Sequence, residues 1–180
     1  MTRRRVLAVG VVLVSVVLLG GILGFGLTRD PGAVPFRLAG QDAPGFALRT
    51  LDGQRSVRLD DLAGRVVAIN FWASWCAECR IEHPALAAAW RRFRDRGVVL
   101  LGIPFQDDPA ASREYLDEYG GGWPILEDPG SRTALAYGVY GVPETVFIGR
   151  NGRIAGRVVG PVRYDDLTRW FHRLLGDGVS

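Results

Sequence analysis

The stretch VVAINFWASWCAEC, residues 66–79, decides the fold of this chain. Residues 66–71 are apolar with one exception, which is typical of a central strand that is buried on both faces. After Cys79, apolar residues recur at helical spacing as far as Arg96, which predicts a helix. We expect the buried stripe of this helix to consist of Ile81, Ala85, Leu86, Ala89 and Phe93. Cys76 and Cys79 therefore lie where a buried strand passes into a helix.

Alternating patterns on both sides of this stretch predict further strands and helices. Phe46–Leu48 and Val57–Leu59 flank Asp52-Gly53, which indicates a β-hairpin. The later segments are, in order, a strand at Val98–Ile103, a helix at Pro109–Tyr119, a short strand at Ile125–Leu126, a helix at Ser131–Tyr137, strands at Thr145–Ile148 and Arg153–Val159 around the Asn151-Gly152 turn, and a helix at Asp165–Leu175. This order predicts an α/β fold in which helices flank a mixed sheet.

The N-terminal segment has the composition of a membrane anchor. No residue from Val6 to Leu27 is charged, and as a helix the segment would be about 33 Å long, against about 30 Å for the hydrocarbon core of a bilayer. The preceding Arg3-Arg4-Arg5 favours a cytoplasmic N-terminus. We therefore expect a cytoplasmic segment at 1–5, a single transmembrane helix at 6–27, a tether at 28–40 and an extracytoplasmic domain at 41–180. A cleaved signal peptide is the alternative.

The charge balance excludes a nucleic-acid surface. The chain has 22 basic and 19 acidic residues, and removing the three N-terminal arginines leaves 22 − 3 = 19 basic residues. The folded part is therefore neutral, without the basic excess that nucleic-acid binding requires. We expect a monomer that is held in the plasma membrane and carries no cofactor.

The spacing of Cys76 and Cys79 favours redox chemistry. A structural bridge over so short a loop would constrain the unfolded chain little. At the start of a helix, free N–H groups and the helix dipole favour a thiolate. Residues three apart on a helix also have β-carbons about 5–6 Å apart, so dithiol and disulfide can interconvert with little backbone movement.

A metal site is the alternative of a different class. Cys76, Cys79 and His83 would supply three ligands for copper or zinc. A fourth ligand is not evident, because His172, the other histidine, lies in the last predicted helix. Haem attachment through C-x-x-C-H is excluded, since Arg80 follows the second cysteine.

Two segments resemble one known family. NFWASWCAECRIEHP, residues 70–84, and YGVYGVPET, residues 137–145, are similar to the membrane-anchored, thioredoxin-like thiol:disulfide interchange proteins of cytochrome c maturation, in the alkyl hydroperoxide reductase and redoxin superfamily. The likeness covers Gly40 to Leu175. It implies a thioredoxin fold with an N-terminal β-hairpin and an extra strand and helix between Ile103 and Gly138.

The resemblance also implies a function. It predicts an extracytoplasmic thiol-disulfide oxidoreductase that keeps the cysteines of apocytochrome c, or of a chaperone that holds it, reduced for haem attachment. A membrane protein would donate the electrons. The alternatives are a general extracytoplasmic disulfide reductase and a copper-binding or copper-site assembly module.

Site residues follow from the matching positions. Cys76 is expected to be the nucleophile and Cys79 the resolving thiol. Thioredoxin carries a buried aspartate where this chain has Asn70, so Glu82 is the best candidate for the proton acceptor. Glu78, between the cysteines, should make the disulfide harder to reduce. Both glutamates could instead be solvated helix residues.

Four further residues are expected to support the site. Trp75 should pack around the cysteines. Pro143 is cis and faces the cysteine pair in the family, which would present the backbone of Val142 to an extended substrate. Glu144 is a candidate for specificity or for tuning the thiol pKa, with an exposed residue at a strand start as the alternative.

Overall fold

The computed structural model describes residues 10, 12–21, 24 and 36–176. Contacts divide the chain into two units between Pro35 and Phe36. In the first unit, residues 12–21 are helical and exposed. Within the described residues, no helix is both long and apolar enough to cross a membrane. The predicted cytoplasmic segment at 1–5 lies outside the described residues.

The second unit is built on a four-stranded mixed sheet and a separate two-stranded hairpin. The strands are β1 (Ala47–Arg49), β2 (Ser56–Arg58), β3 (Val66–Trp72), β4 (Val98–Pro104), β5 (Glu144–Ile148) and β6 (Ile154–Val159). The four-stranded sheet has the order β4-β3-β5-β6, in which β3 pairs parallel with β4 and antiparallel with β5. The hairpin, the mixed sheet and the flanking helices predicted from the sequence are confirmed.

In the described part of the second unit, four α-helices surround the sheet. They are α1 (Ala77–Phe93), α2 (Pro109–Tyr119), α3 (Arg132–Ala136) and α4 (Tyr164–Leu175). Helix α1 continues as a 3₁₀ turn to Arg96 and ends at Gly97, whose φ of 92° is readily adopted by glycine. Helices α1 and α4 pack together through Phe93 and Phe171, whose ring centroids are 5.2 Å apart.

Strand β3 separates two hydrophobic cores, because all seven of its residues are buried. Its even-numbered apolar residues, such as Ala68, join the core beneath α1 and α4. Its odd-numbered residues, such as Ile69, join the core beneath α3 and the hairpin. The uninterrupted apolar run in the sequence thus reflects burial on both faces.

Two expectations are corrected by the structure. Ile81 is 72% exposed, so it is not part of the buried stripe of α1. The residues of α1 that meet the core follow one another at intervals of three or four positions. Ile81 comes only two positions after Cys79, so it lies on a different face of the helix. The buried residues of α1 are Cys79, Glu82, His83, Leu86, Ala89 and Phe93.

The predicted strand at Ile125–Leu126 forms only isolated bridges. Ile125 bridges Gly102 of β4, and Leu126 bridges Thr50 next to the hairpin. Pro124 has no N–H to donate to a longer ladder, so this segment only connects the two sheets. The helix of the predicted insertion is present as α2.

Candidate active site

The two cysteines form a disulfide at the start of α1, with their α-carbons 5.3 Å apart. Cys76 is the N-cap residue of the helix, and its Sγ accepts a hydrogen bond of 3.1 Å from the N–H of Cys79. Cys76 is 6% exposed and Cys79 is 2% exposed. A thiolate at Cys76 would therefore be stabilised by the N-terminus of the helix.

Glu82 lies one turn beyond Cys79 and is 2% exposed, so it is not a solvated helix residue. Its carboxyl accepts two hydrogen bonds of 2.8 Å, one from Nδ2 of Asn70 and one from the N–H of Val162. Asn70 also donates to Thr145 Oγ1 at 3.1 Å. The asparagine that replaces the thioredoxin aspartate thus holds Glu82 in place.

Burial gives Glu82 an unusual proton affinity. Removal from water raises the pKa of Glu82 to about 7, although the hydrogen bonds from Val162 and Asn70 act in the opposite direction. The negative charge of Glu78 adds to the rise. Glu78 itself is exposed. A carboxyl that titrates near neutral pH can accept a proton from a neighbouring thiol and release it again.

The second predicted segment lies at the start of β5. The Val142–Pro143 peptide bond is cis. Val142 is partly buried and packs against the core that contains both cysteines. Among the described residues, no hydrogen bond engages the backbone N–H or carbonyl of Val142. Those two groups can therefore pair with an extended chain.

Glu144 is buried rather than exposed at the strand start. Its Oε2 lies 3.1 Å from Nη1 of Arg157 on β6, and the same nitrogen donates to the carbonyl of Gly138 at 3.1 Å. Burial raises the pKa of Glu144, and the charge of Arg157 opposes that rise. The ion pair ties the loop that precedes β5 to the edge strand.

Asp107 is a site residue that the sequence analysis missed. Its carboxylate accepts hydrogen bonds from the N–H of Ser74 at 2.8 Å and from Ser74 Oγ at 2.7 Å. Ser112 Oγ on α2 donates to it at 2.7 Å. The neighbouring carbonyl of Gln106 accepts from the indole N–H of Trp75 at 3.3 Å. The loop between β4 and α2 therefore holds the turn that carries Cys76.

Trp75 does not pack into the interior around the cysteines. It is 59% exposed, and the buried neighbour of the pair is Trp72, which is 5% exposed.

The sequence contained no local signal for Asp107, which comes 28 positions after Cys79 and precedes Asp108, the N-cap residue of α2.

His83 does not form a metal site with the cysteines. Its Nε2 donates to the carbonyl of Gly120 at 3.1 Å, and rings of Tyr115, Tyr119 and Trp123 pack around it. Burial lowers the pKa of His83. In the part of the chain that the structure describes, no group of three or more His, Cys, Asp or Glu residues could hold a metal ion.

Comparison with known proteins gives a consistent result. The model of the AhpC/TSA family matches residues 39–157. The thiol:disulfide interchange protein HelX of Rhodobacter capsulatus is 38% identical over 149 residues, which are 82% of each chain. The thiol:disulfide interchange protein DsbE of Pseudomonas fluorescens biotype C is 38% identical over 138 residues, 76% of this chain and 75% of that protein.

A solved structure shows the same fold. The crystal structure of a thiol:disulfide interchange protein of the thioredoxin family from Chlorobium tepidum TLS aligns with a TM-score of 0.68 and 28% sequence identity. The alignment covers 75% of this chain and 96% of that chain. The likeness thus covers nearly the whole of that protein.

Proposed function

Because the chain belongs to the AhpC/TSA family, and with its relatives is a thiol-disulfide oxidoreductase, we propose that it works as a reductase outside the cytoplasm. Its substrates would be the disulfides of apocytochrome c or of a chaperone that holds it. Haem attachment needs free thiols, which an oxidising compartment removes. The resemblance of both motifs to the cytochrome c maturation group supports this substrate.

The observation that carries the proposal is the buried Glu82 one turn from Cys79. Together with Glu78 it places acidic groups near the thiols, and an acidic neighbour raises the free energy of a thiolate. A dithiol/disulfide couple is strongly oxidising when its reduced form is strongly stabilised. A couple whose thiolate is less stabilised is therefore less oxidising. The acidic surroundings therefore favour electron donation to a partner.

The reaction follows from the geometry of the pair. The reduced Cys76 thiolate attacks one sulfur of the partner's disulfide, that bond breaks, and the other partner sulfur leaves as a thiolate. Cys79 then passes its proton to the Glu82 carboxylate and attacks Cys76 Sγ. The second partner sulfur leaves and is protonated. The partner has gained two electrons, and Cys76–Cys79 is again a disulfide.

The oxidised pair must be reduced again before the next cycle. We propose a membrane-embedded dithiol protein as the electron donor, since the resemblance implies one and the domain would be tethered to the same membrane. The free backbone groups of Val142 and the exposed ring of Trp75 offer the donor and the acceptor the same docking edge. The two partners would then bind in turn.

We further propose that residues 6–27 anchor the chain as a single helix with the N-terminus in the cytoplasm. The apolar side chains of its described part are exposed, for example Val17 at 72% and Leu13 at 61%. Exposed apolar side chains on a helix are costly in water and favourable in lipid. The three arginines at positions 3–5 support the orientation.

A trapping experiment tests the function. The full-length Cys79→Ala variant should accumulate mixed disulfides through Cys76, because the resolving thiol is missing. Mass spectrometry of these species should identify apocytochrome c or its chaperone. Cys76→Ala, the matched control, should trap neither. Trapping of unrelated envelope proteins without any cytochrome component would instead indicate a general reductase.

A further inference from the structure

Arg157, in β6, connects three separate segments of the chain. Its Nη1 donates to the carbonyl of Gly138 at 3.1 Å and to Oε2 of Glu144 at 3.1 Å. Its guanidinium carbon lies over the ring of Phe36, 4.5 Å from the centroid. The side chain is 23% exposed, so water has limited access to it. Arg157 is therefore held on several sides at once.

Two of these contacts hold the loop that runs from Gly138 to Val142, which we call the docking loop. The carbonyl of Gly138 at its start is bonded to Arg157 directly. At its middle, the N–H of Tyr140 donates a hydrogen bond to the carboxyl of Glu144, the partner of Arg157. The loop ends at Val142, whose backbone N–H and carbonyl make no hydrogen bond within the described residues. Arg157 thus holds the loop that presents these two groups.

Phe36 is itself fixed to β6. It is half-buried and packs against the core beneath α3 and the hairpin. A turn follows it, in which the N–H of Ala39 donates to the Phe36 carbonyl at 2.9 Å. The N–H of Gly40 then donates to the carbonyl of Ile154 at 2.8 Å, and the N–H of Ile154 donates to the carbonyl of Gln41 at 2.9 Å. The backbone that carries the ring is therefore bonded to the strand.

The contact between Phe36 and Arg157 is compatible with the hydrogen bonds that the arginine makes. The N–H bonds of a guanidinium group lie in its plane, whereas an aromatic ring contacts its face. Phe36 therefore excludes water from the guanidinium without competing for its donors. Arginine side chains have high rotamer freedom, so a guanidinium without this cover would leave its position on Gly138 and Glu144 more often.

We propose that Phe36 is a positioning residue for the binding of protein partners, which acts by holding Arg157 against the docking loop. The proposal rests on the exchange reaction proposed above, in which an extended segment of the partner pairs with the backbone of Val142. A loop that is already held in its binding shape loses less conformational entropy when the partner binds. Loss of the Phe36 ring would therefore weaken partner binding, whereas attack by Cys76 on a disulfide that needs no docking would be unaffected.

The test compares two disulfide substrates in single-turnover reactions of the reduced full-length chain. One is a linear peptide with a mixed disulfide at its central cysteine, which can pair with Val142. The other is bis(hydroxyethyl) disulfide, which is too small to do so. Phe36→Leu should raise the half-saturating peptide concentration several-fold, with the maximal rate and the reaction of the small disulfide unchanged. Phe36→Trp, which keeps an aromatic face over the guanidinium, should behave as the wild type does.

Phe46→Leu is the matched control, because Phe46 is another half-buried ring that packs against the same core. It should change neither reaction. Arg157→Gln should raise the half-saturating peptide concentration as Phe36→Leu does, and combining the two changes should cause no further rise. A further rise would overturn the proposal, because Phe36 would then act by another route. Equal slowing of both substrates in Phe36→Leu would also overturn it, since that indicates a general loss of structure.

Failure of the proposed function would give a different result. A wild-type chain that left the peptide disulfide intact would overturn the reductase function and this proposal with it. A wild-type chain that reduced the peptide with the same half-saturating concentration as Phe36→Leu would overturn the role of Phe36 alone.

Discussion

Glu82 and Glu144 are both buried carboxyls near the cysteine pair, but their partners differ. Glu82 accepts hydrogen bonds from two neutral donors, Asn70 and Val162. Glu144 pairs with the cation of Arg157. Neutral donors stabilise a carboxylate less than a cation does. Glu82 can therefore exchange a proton near neutral pH, whereas at Glu144 the charge of Arg157 opposes the rise in pKa that burial causes. One carboxyl is suited to chemistry and the other to holding a loop.

The largest expected effect is on the rate of exchange. Glu82→Gln removes the proton acceptor, so resolution of the mixed disulfide near pH 7 should slow by about 100-fold, within the range of general base catalysis. The measurement is single-turnover reduction of a peptide disulfide across a pH series. Glu78→Gln, an exposed control, should change the rate only a few-fold. If the rate of Glu82→Gln depended on pH as the wild-type rate does, Glu82 would not be the proton acceptor.

The ion pair at Glu144 should matter for stability instead. Glu144→Ala leaves Arg157 partly buried without its partner, and we expect a loss of about 3 kcal/mol in the free energy of unfolding. Urea unfolding measures this loss. Asp60→Ala breaks the exposed pair with Arg58 and should cost less than about 1 kcal/mol. If the Glu144→Ala/Arg157→Ala double variant were destabilised by the full sum of the single effects, the pair would not be coupled.

The pH dependence of stability should separate the two carboxyls further. The pKa of Glu82 is about 7 in the folded chain against 4.5 for an ordinary glutamate. Between these values the folded form keeps a proton that the unfolded form has lost, so stability falls as pH rises through this window. The loss is at most about 3 kcal/mol at about 1.4 kcal/mol per pKa unit.

Urea unfolding between pH 4.5 and pH 7.5 would show this slope. In Glu82→Gln the contribution should vanish, because a glutamine does not titrate. In Arg157→Gln it should persist, since Glu82 is untouched. The pKa of His83, which burial lowers, contributes a rise in stability with pH over part of this window in both chains. An identical pH dependence of stability in the wild type and in Glu82→Gln would therefore contradict the raised pKa of Glu82.

The smallest expected effect concerns Asp107, which accepts hydrogen bonds from two serines and holds the turn that carries Cys76. Asp107→Asn loses one of the acceptor positions used by Ser74 and Ser112, so it should cost about 1 kcal/mol of stability. Alkylation of reduced Cys76 by iodoacetamide should change a few-fold, because the turn is held less firmly. Asp108→Asn is the matched control, since asparagine caps a helix as well as aspartate does. If Asp107→Asn and Asp108→Asn changed stability and the alkylation rate equally, Asp107 would not position the turn.

The sequence predicted the parts of the fold that depend on local pattern. The buried run of β3, the helix start at Cys76 and the Asn151-Gly152 turn each have a local physical cause. Ile81 was assigned wrongly because hydrophobicity alone does not determine which face of a helix meets the core. The segment at Ile125 forms only isolated bridges, because Pro124 has no N–H to donate to a longer ladder.

The site could be predicted only in part. The cysteine pair and Glu82 lie on one helix, where spacing indicates neighbours. Contacts between distant segments have no such signal. The hydrogen bonds from Ser74 to Asp107 and the ion pair between Arg157 and Glu144 depend on how loops and strands meet in space.

The reduction potential of the Cys76–Cys79 pair decides whether the protein can act as a reductase, because a reductase must hold its electrons less tightly than its substrate does. The full chain would be equilibrated with glutathione buffers, and the fraction of disulfide would be measured by thiol alkylation. We predict a potential closer to the thioredoxin value of about −270 mV than to the strongly oxidising value of about −120 mV. A potential above about −180 mV, the value of protein disulfide isomerase, would contradict the assignment as a reductase.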